Sequence, residues 1–244
     1  MIVTTSWDDG HHQNLKIAHL LDRYKIKGTF YIAGNYLNEE SRKEIIKVAE
    51  NYEVGAHTFS HVDLTKLNKE QCVDEIKKGK EVLEQVVNKE IKMFAYPFGF
   101  FNEEIKSCIK KNGFLGARTV ENFKLDKPQD FFEMGTTLQV YPFPLRKRDA
   151  THLHGPKVVL QPFFRNFSKI IKCKLPVISF FSWNYLARNL FKYSLKKDGI
   201  FHLWGHAAEL EKYDMWQELE DFLKFMSKRE GIKYLTNGEV LEYY

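Results

Sequence analysis

Two adjacent carboxylates, Asp8 and Asp9, close a short run that begins with the apolar Ile2 and Val3 and is followed by Gly10. Further on, Gly55-Ala56-His57-Thr58-Phe59-Ser60-His61 sets two histidines four positions apart. Near the C-terminus, Gly199-Ile200-Phe201-His202-Leu203-Trp204-Gly205-His206 is another apolar run that ends in a histidine. One carboxylate and two imidazoles make three ligands for a borderline divalent metal, with coordination room left for water. A second carboxylate beside the first can serve as general base and a distant histidine as general acid. This inventory suits metal-assisted hydrolysis of an amide or ester.

These segments, in this order, resemble the motifs of the polysaccharide deacetylase enzymes (NodB-homology, carbohydrate esterase family four). Ser6-Trp7-Asp8-Asp9-Gly10 is similar to the family's Thr-Phe-Asp-Asp-Gly element, and His57 and His61 fit its His-(Ser/Thr)-x-x-His element. Tyr96-Pro97-Phe98-Gly99 resembles its Pro-Tyr-Gly loop, and the run ending in His206 its late strand with a catalytic histidine. Each match is weak alone; the ordered set is specific. The resemblance implies Asp8 as base, Asp9, His57 and His61 as metal ligands, the Phe98 main-chain N–H as an oxyanion donor and His206 as acid. It also implies an N-acetylated carbohydrate as substrate. The fold it implies is α/β, a single distorted (β/α) barrel of about seven parallel strands with outer helices, its site at the strand C-terminal ends.

Zinc suits two nitrogens and one carboxylate oxygen, and cobalt, nickel and manganese fit the same donors. Helical character in the 57–61 loop would put both imidazoles on one face, with Thr58 and Ser60 supplying outer hydrogen bonds to the ligands. One departure from the family stands out. The arginine that often precedes the proline by two residues, steadying the base, is Ala95 here. Arg118, at the end of the next strand, either replaces it or is a surface residue on a polar loop. His202 competes with His206 for the acid role, but His206 ends the apolar run; His202 is expected to pack or hydrogen-bond inside the barrel. Trp204 is either a wall for a sugar ring or core. His11 and His12 can line the pocket; His152 and His154 are given no role. Two rival readings are an amidohydrolase of the same fold acting on a non-sugar C–N bond, and a catalytically weakened sugar-binding homologue suggested by Ala95. Retention of Asp8 and His206 argues against the second, since binding needs neither base nor acid.

The elements that must hold these groups follow from periodicity. Strands are expected over 2–7, 28–33, 53–56, 93–96, 115–120, 136–140, 199–203 and 233–236. Helices are expected over 14–24, 68–87, 102–111, 180–193 and 214–226, and one capped by Ser41 with Glu44 at the capping-box spacing. Cys72, Ile76, Val82, Leu83 and Val86 form the inward face of the 68–87 helix. Five of the seven prolines fall in 121–165, which reads as loops apart from the short strand. The βα alternation implies parallel strands under covering helices. With 244 residues and 43% hydrophobic content, one catalytic domain over 1–244 is expected. A formal charge of +5 is too small an excess to argue for nucleic acid. Three widely spaced cysteines make no disulfide framework. No signal peptide or membrane span is seen, so a cytoplasmic protein is expected. The basic-aromatic stretches 163–174 and 180–197 are compatible with a peripheral membrane contact but read better as covering helices with snorkelling lysines. Oligomeric state is not legible.

Overall fold

Every residue of strand β1 (Ile2–Asp8) is buried, polar ones included, because this strand lies in the middle of a parallel sheet whose two faces are both covered. The computed structural model describes residues 1–141, 155–180 and 182–244. Its strands are β1, β2 (Thr29–Ile32), β3 (Glu53–Ala56), β4 (Met93–Ala95), β5 (Gly116–Arg118), β6 (Leu138–Gln139), β7 (Ile200–His206) and β8 (Lys233–Tyr234). All pair in parallel in the order β5-β4-β3-β2-β1-β7-β6, with β8 beside the start of β1. The edges approach each other: Met134 N donates to Ala117 O, while Thr137 N donates to His202 O. The sheet is therefore curled into the distorted barrel expected from sequence.

Around it lie α1 (Asn14–Arg23), α2 (Glu39–Asn51), α3 (Lys69–Val87), α4 (Glu103–Lys111), α5 (Pro156–Lys172), α6 (Trp183–Lys197), α7 (Ala207–Lys212), α8 (Trp216–Met226) and α9 (Asn237–Tyr243). Strand alternation divides the core in two. Val3, Trp7, Phe201 and Leu203 point outward into the large cluster under the helices. Ile2 and Ile200 point inward and join Tyr31, Met93, Ala95, Met134 and Val240. Above them the interior turns polar: Asn237 Nδ2 donates to Thr4 Oγ1 at 2.8 Å, and Ser6 Oγ meets His202 Nε2 at 2.9 Å. A barrel interior filled this way can hold ionised groups at its open end.

Several local expectations are corrected. Asn38, not Ser41, caps α2; its side chain accepts from Ser41 N, and Ser41 Oγ instead donates to Tyr36 O. Val82 and Val86 of α3 are only partly buried, and Val87 is buried instead. The helix expected over 214–226 is α8 and begins at Trp216, because Asp214 adopts φ 52 and separates it from the short α7 before it. Part of the loop-rich 121–165 stretch is helical, since Pro156 begins α5, where a missing N–H costs nothing. Pro142, Pro144, His152 and His154 lie outside the described residues. Among the described residues, no helix is long and apolar enough to cross a membrane.

Candidate active site

At the C-terminal end of β1 the chain must turn sharply to bring both Asp8 and Asp9 to the barrel mouth. Asp9 does so at φ 78 and Gly10 at φ 91. A Cβ on Gly10 would also lie 2.9 Å from Ile32 Cγ2, so glycine is required there on two counts. Asp8 sits in register with His206 on neighbouring β7. The 57–61 loop after β3 is not helical, so the four-residue spacing does not act through a helix face. Thr58 (φ 63) and His61 (φ 54) are left-handed, and these reversals converge the two imidazoles. Glu75 of α3 fixes the loop by accepting from Phe59 N at 3.1 Å, Ser60 N at 2.7 Å and Ser60 Oγ at 2.8 Å. Ser60 thus supports the loop and not a ligand. The Thr58 hydroxyl is buried with no hydrogen-bond partner among the described residues.

Three ligand atoms meet. Asp9 Oδ1 lies 3.3 Å from His61 Nε2 and 3.7 Å from His57 Nε2, and the set lies within 4.8 Å of one another. His57 Nδ1 donates to Ala95 O at 2.7 Å, which leaves its Nε2 lone pair facing Asp9. Burial pushes His57 down to about 3, so its imidazole is neutral near pH 7, the form a metal needs. Asp9 Oδ1 is buried with no hydrogen-bond donor. Burial raises its carboxyl above the usual range, Asp8 adding to this against the pull of His206 and His61. Three mutually facing acceptors with no donor between them fit a divalent cation.

Behind them, the Arg118 Nη2 donates to both oxygens of Asp8. Arg118 is fully buried, its guanidinium 5.2 Å from the Tyr31 ring centre and 4.9 Å from that of Trp204. The surface-residue alternative is thereby excluded. Arg118 pairs in register with Ala95 on β4, and the small side chain at 95 leaves the barrel interior open for the guanidinium to cross. Burial alone would raise the Asp8 carboxyl; Arg118, then His57 and His206, bring it below its usual value.

His206 Nδ1 lies 2.8 Å from Glu209 Oε2, and its Nε2 4.0 Å from Asp9 Oδ2. Burial opposes protonation, but Glu209, then Asp8 and Asp9, outweigh it and raise His206 to about 9. Glu209 was not anticipated, although its place three residues after His206 at a helix start brings it back onto that ring. His202 is buried against Ser6, and burial followed by Arg118 depresses it to about 3; it stands away from the mouth. Phe98 has φ 59, an unusual conformation for a bulky residue. Gly99 N and Phe100 N bond back to Tyr96 O and Pro97 O. The open cleft formed here is lined by Asp8, Asp9, His57, His61, Phe98, Trp204 and His206, with Gln139, Asn122 and Lys169 to one side. Trp204 is only 5% exposed yet reaches the cleft, so it is both core and wall. His11 and His12 stack on each other and do not line the cleft.

Glu209→Gln should keep the fold but lower the His206 pKa, because the adjoining carboxylate charge is lost. An acid must be protonated to act, so the basic limb of the pH–rate profile should move to lower pH. An unmoved limb would show that Glu209 does not tune His206.

Comparison with known proteins gives a consistent picture. Residues 1–117 match the polysaccharide deacetylase family. The chain is 26% identical over 125 residues to a peptidoglycan-N-acetylmuramic acid deacetylase of Bacillus subtilis, covering 50% of this chain and 27% of that protein. It is 29% identical over 115 residues to a peptidoglycan-N-acetylglucosamine deacetylase of Bacillus cereus, covering 45% of this chain and 41% of that protein. The chain therefore spans less than half the length of these curated relatives. The crystal structure of a putative polysaccharide deacetylase from Mycobacterium smegmatis superposes with a TM-score of 0.71 at 13% identity, over 99% of this chain and 89% of the other; this likeness is one of fold. Arg118 and His206 lie beyond the family-matched residues.

Proposed function

We propose that this chain, whose residues 1–117 match the polysaccharide deacetylase family, is a metal-dependent hydrolase that removes an N-acetyl group from a carbohydrate, with 1–244 acting as one catalytic domain. The observation that carries this reading is the juxtaposition of Asp8, held by Arg118, with the convergent Asp9, His57 and His61. Asp9, His57 and His61 would hold the metal, zinc being the best match to the donor set. When bound, a divalent ion supplies Lewis acidity that polarises the acyl carbonyl and makes water easier to deprotonate. Asp8 takes a proton from the attacking water as its oxygen bonds to the acyl carbon. Arg118 keeps Asp8 ionised and oriented. Phe98 lines the cleft, and its main-chain N–H would donate to the oxygen on which negative charge develops. His206, held by Glu209, gives a proton to the departing nitrogen as the C–N bond breaks. The products are acetate and a free amino sugar.

The test joins metal content to acetate release. Protein loaded with zinc should hold about one ion per chain and release acetate from N-acetylglucosamine oligomers. His57→Ala and His61→Ala should each lose most of the metal, measured by plasma mass spectrometry, and the turnover with it. Full metal content in both variants would exclude this ligand set, and acetate release confined to non-sugar amides would exclude the carbohydrate substrate.

A further inference from the structure

Residues 150–197 contain nine Lys and Arg and not one Asp or Glu, so the rest of the chain carries more acidic than basic residues. The mild overall charge hides this asymmetry. Helix α5 lies inside the segment, and its two faces differ. Ile170 is 1% exposed and packs inward. Phe164, Phe167 and Ile171 are 70%, 44% and 58% exposed; at spacings of three and four they fall on one stripe. Lys157, Lys172 and Lys174 are exposed around it. The reading of this stretch as a simple covering helix therefore accounts for only its inner face. An exposed apolar patch of this kind marks an interaction surface.

We propose that the outer face of α5 docks the protein on an anionic lipid bilayer. An apolar stripe bordered by lysines, on a helix too polar to insert across a membrane, is the pattern of an interfacial helix. Its Phe and Ile side chains enter the acyl boundary while the lysines meet headgroup charge. A segment with no acidic residue favours a negatively charged surface over a neutral one, and the commitment to lipid rests on that charge complementarity. The same helix reaches the catalytic cleft: Lys169, in its last turn, lines the cleft and donates to Asn122 O at 3.2 Å. Docking through α5 would hold the cleft beside the membrane surface. If the deacetylase reading above holds, the substrate class is then an acylated amino sugar carried on a membrane lipid.

The test is co-sedimentation of the full chain with vesicles of phosphatidylcholine alone and of phosphatidylcholine mixed with phosphatidylglycerol. Binding to the anionic vesicles should exceed binding to the neutral ones by about tenfold or more and should weaken as salt is added. Phe164→Ser combined with Ile171→Ser should abolish it. Lys157→Gln, Lys172→Gln and Lys174→Gln together should erase the preference for anionic lipid. Circular dichroism and unchanged acetate release from soluble N-acetylglucosamine oligomers would show that these surface variants remain folded. Equal binding to both vesicle types, no binding to either, or wild-type binding by the Ser variant would overturn the proposal. Self-association of the chain that is lost in the Ser variant, without vesicle binding, would overturn it in favour of a second copy as occupant. Vesicle binding in a protein that releases acetate from no carbohydrate would keep the docking face and remove the deacetylase reading. In the same vesicles, lipid-linked N-acetylglucosamine should be deacetylated at least about tenfold faster by the wild type than by the Ser variant.

Discussion

Asp8→Asn will bind metal as the wild type does and lose about a thousandfold in turnover, the loss expected when a general base is removed. Asparagine keeps a carbonyl oxygen that can accept from Arg118, so the geometry around the guanidinium is largely preserved, but it cannot take a proton. The variant also leaves the Arg118 charge buried without its counter-ion, so stability should fall by about 3 kcal/mol. Thermal unfolding followed alongside kcat separates that effect from chemistry, because a folded, metal-loaded and inactive protein can only have lost the base. Asp9→Asn should behave differently. Its Oδ1 faces His57 and His61, so metal content should fall first and activity with it. Exchanged phenotypes, with metal lost in Asp8→Asn and retained in Asp9→Asn, would reverse the two roles.

How far these roles could be read from sequence depended on where each residue sits relative to a strand end. Asp8, Asp9, His57 and His206 each close an apolar run, and a parallel barrel gathers such ends at one mouth. Local pattern therefore places them at one mouth, and the family resemblance supplies their separate roles. The loop geometry did not follow in the same way. Thr58 and His61 take left-handed conformations that favour glycine or asparagine, and neither residue type announces them. Helical spacing was thus the wrong explanation for a convergence that does occur. Glu75 and Glu209 were invisible because an acidic residue on a helix face looks like solvated surface until the loop it anchors is placed. Helix α9 has a sequence signature of its own, the Thr236 and Glu239 capping box that the structure uses. In α5, Pro156 opens the helix, where it carries no penalty, so a proline-rich stretch need not be loop.

Arg118→Ala should be the most damaging single change in the barrel that leaves all three proposed metal ligands intact. It removes the partner of a buried carboxylate, and breaking such a pair from one side costs about 3–5 kcal/mol. The pH dependence identifies the cause. In the wild type, Asp8 sits below its usual pKa despite burial, with Arg118 the largest stabilising influence. Its contribution to stability is therefore fully present above the unfolded carboxyl value of about 3.9 and fades only as pH falls through the lower folded value. Without Arg118, burial dominates and the folded carboxyl rises above the unfolded value. The variant then favours protonated Asp8 and loses stability as pH rises through that raised value. The stability gap between the two proteins should widen from about pH 4 to about pH 7, measured by urea denaturation with both proteins metal-free. The acidic limb of the pH–rate profile should move upward for the same reason, since the base must be ionised to act. Ala95 supplies the decisive control. It lies beside Arg118 in register, so the double variant Ala95→Arg, Arg118→Ala offers a guanidinium to Asp8 from the adjoining strand, the position the family often uses. It should recover part of the stability and return the acidic limb toward its wild-type place. A gap that stays constant with pH, or a double variant no better than Arg118→Ala, would mean that Arg118 matters through the Tyr31 and Trp204 rings it packs between and not through the charge of Asp8.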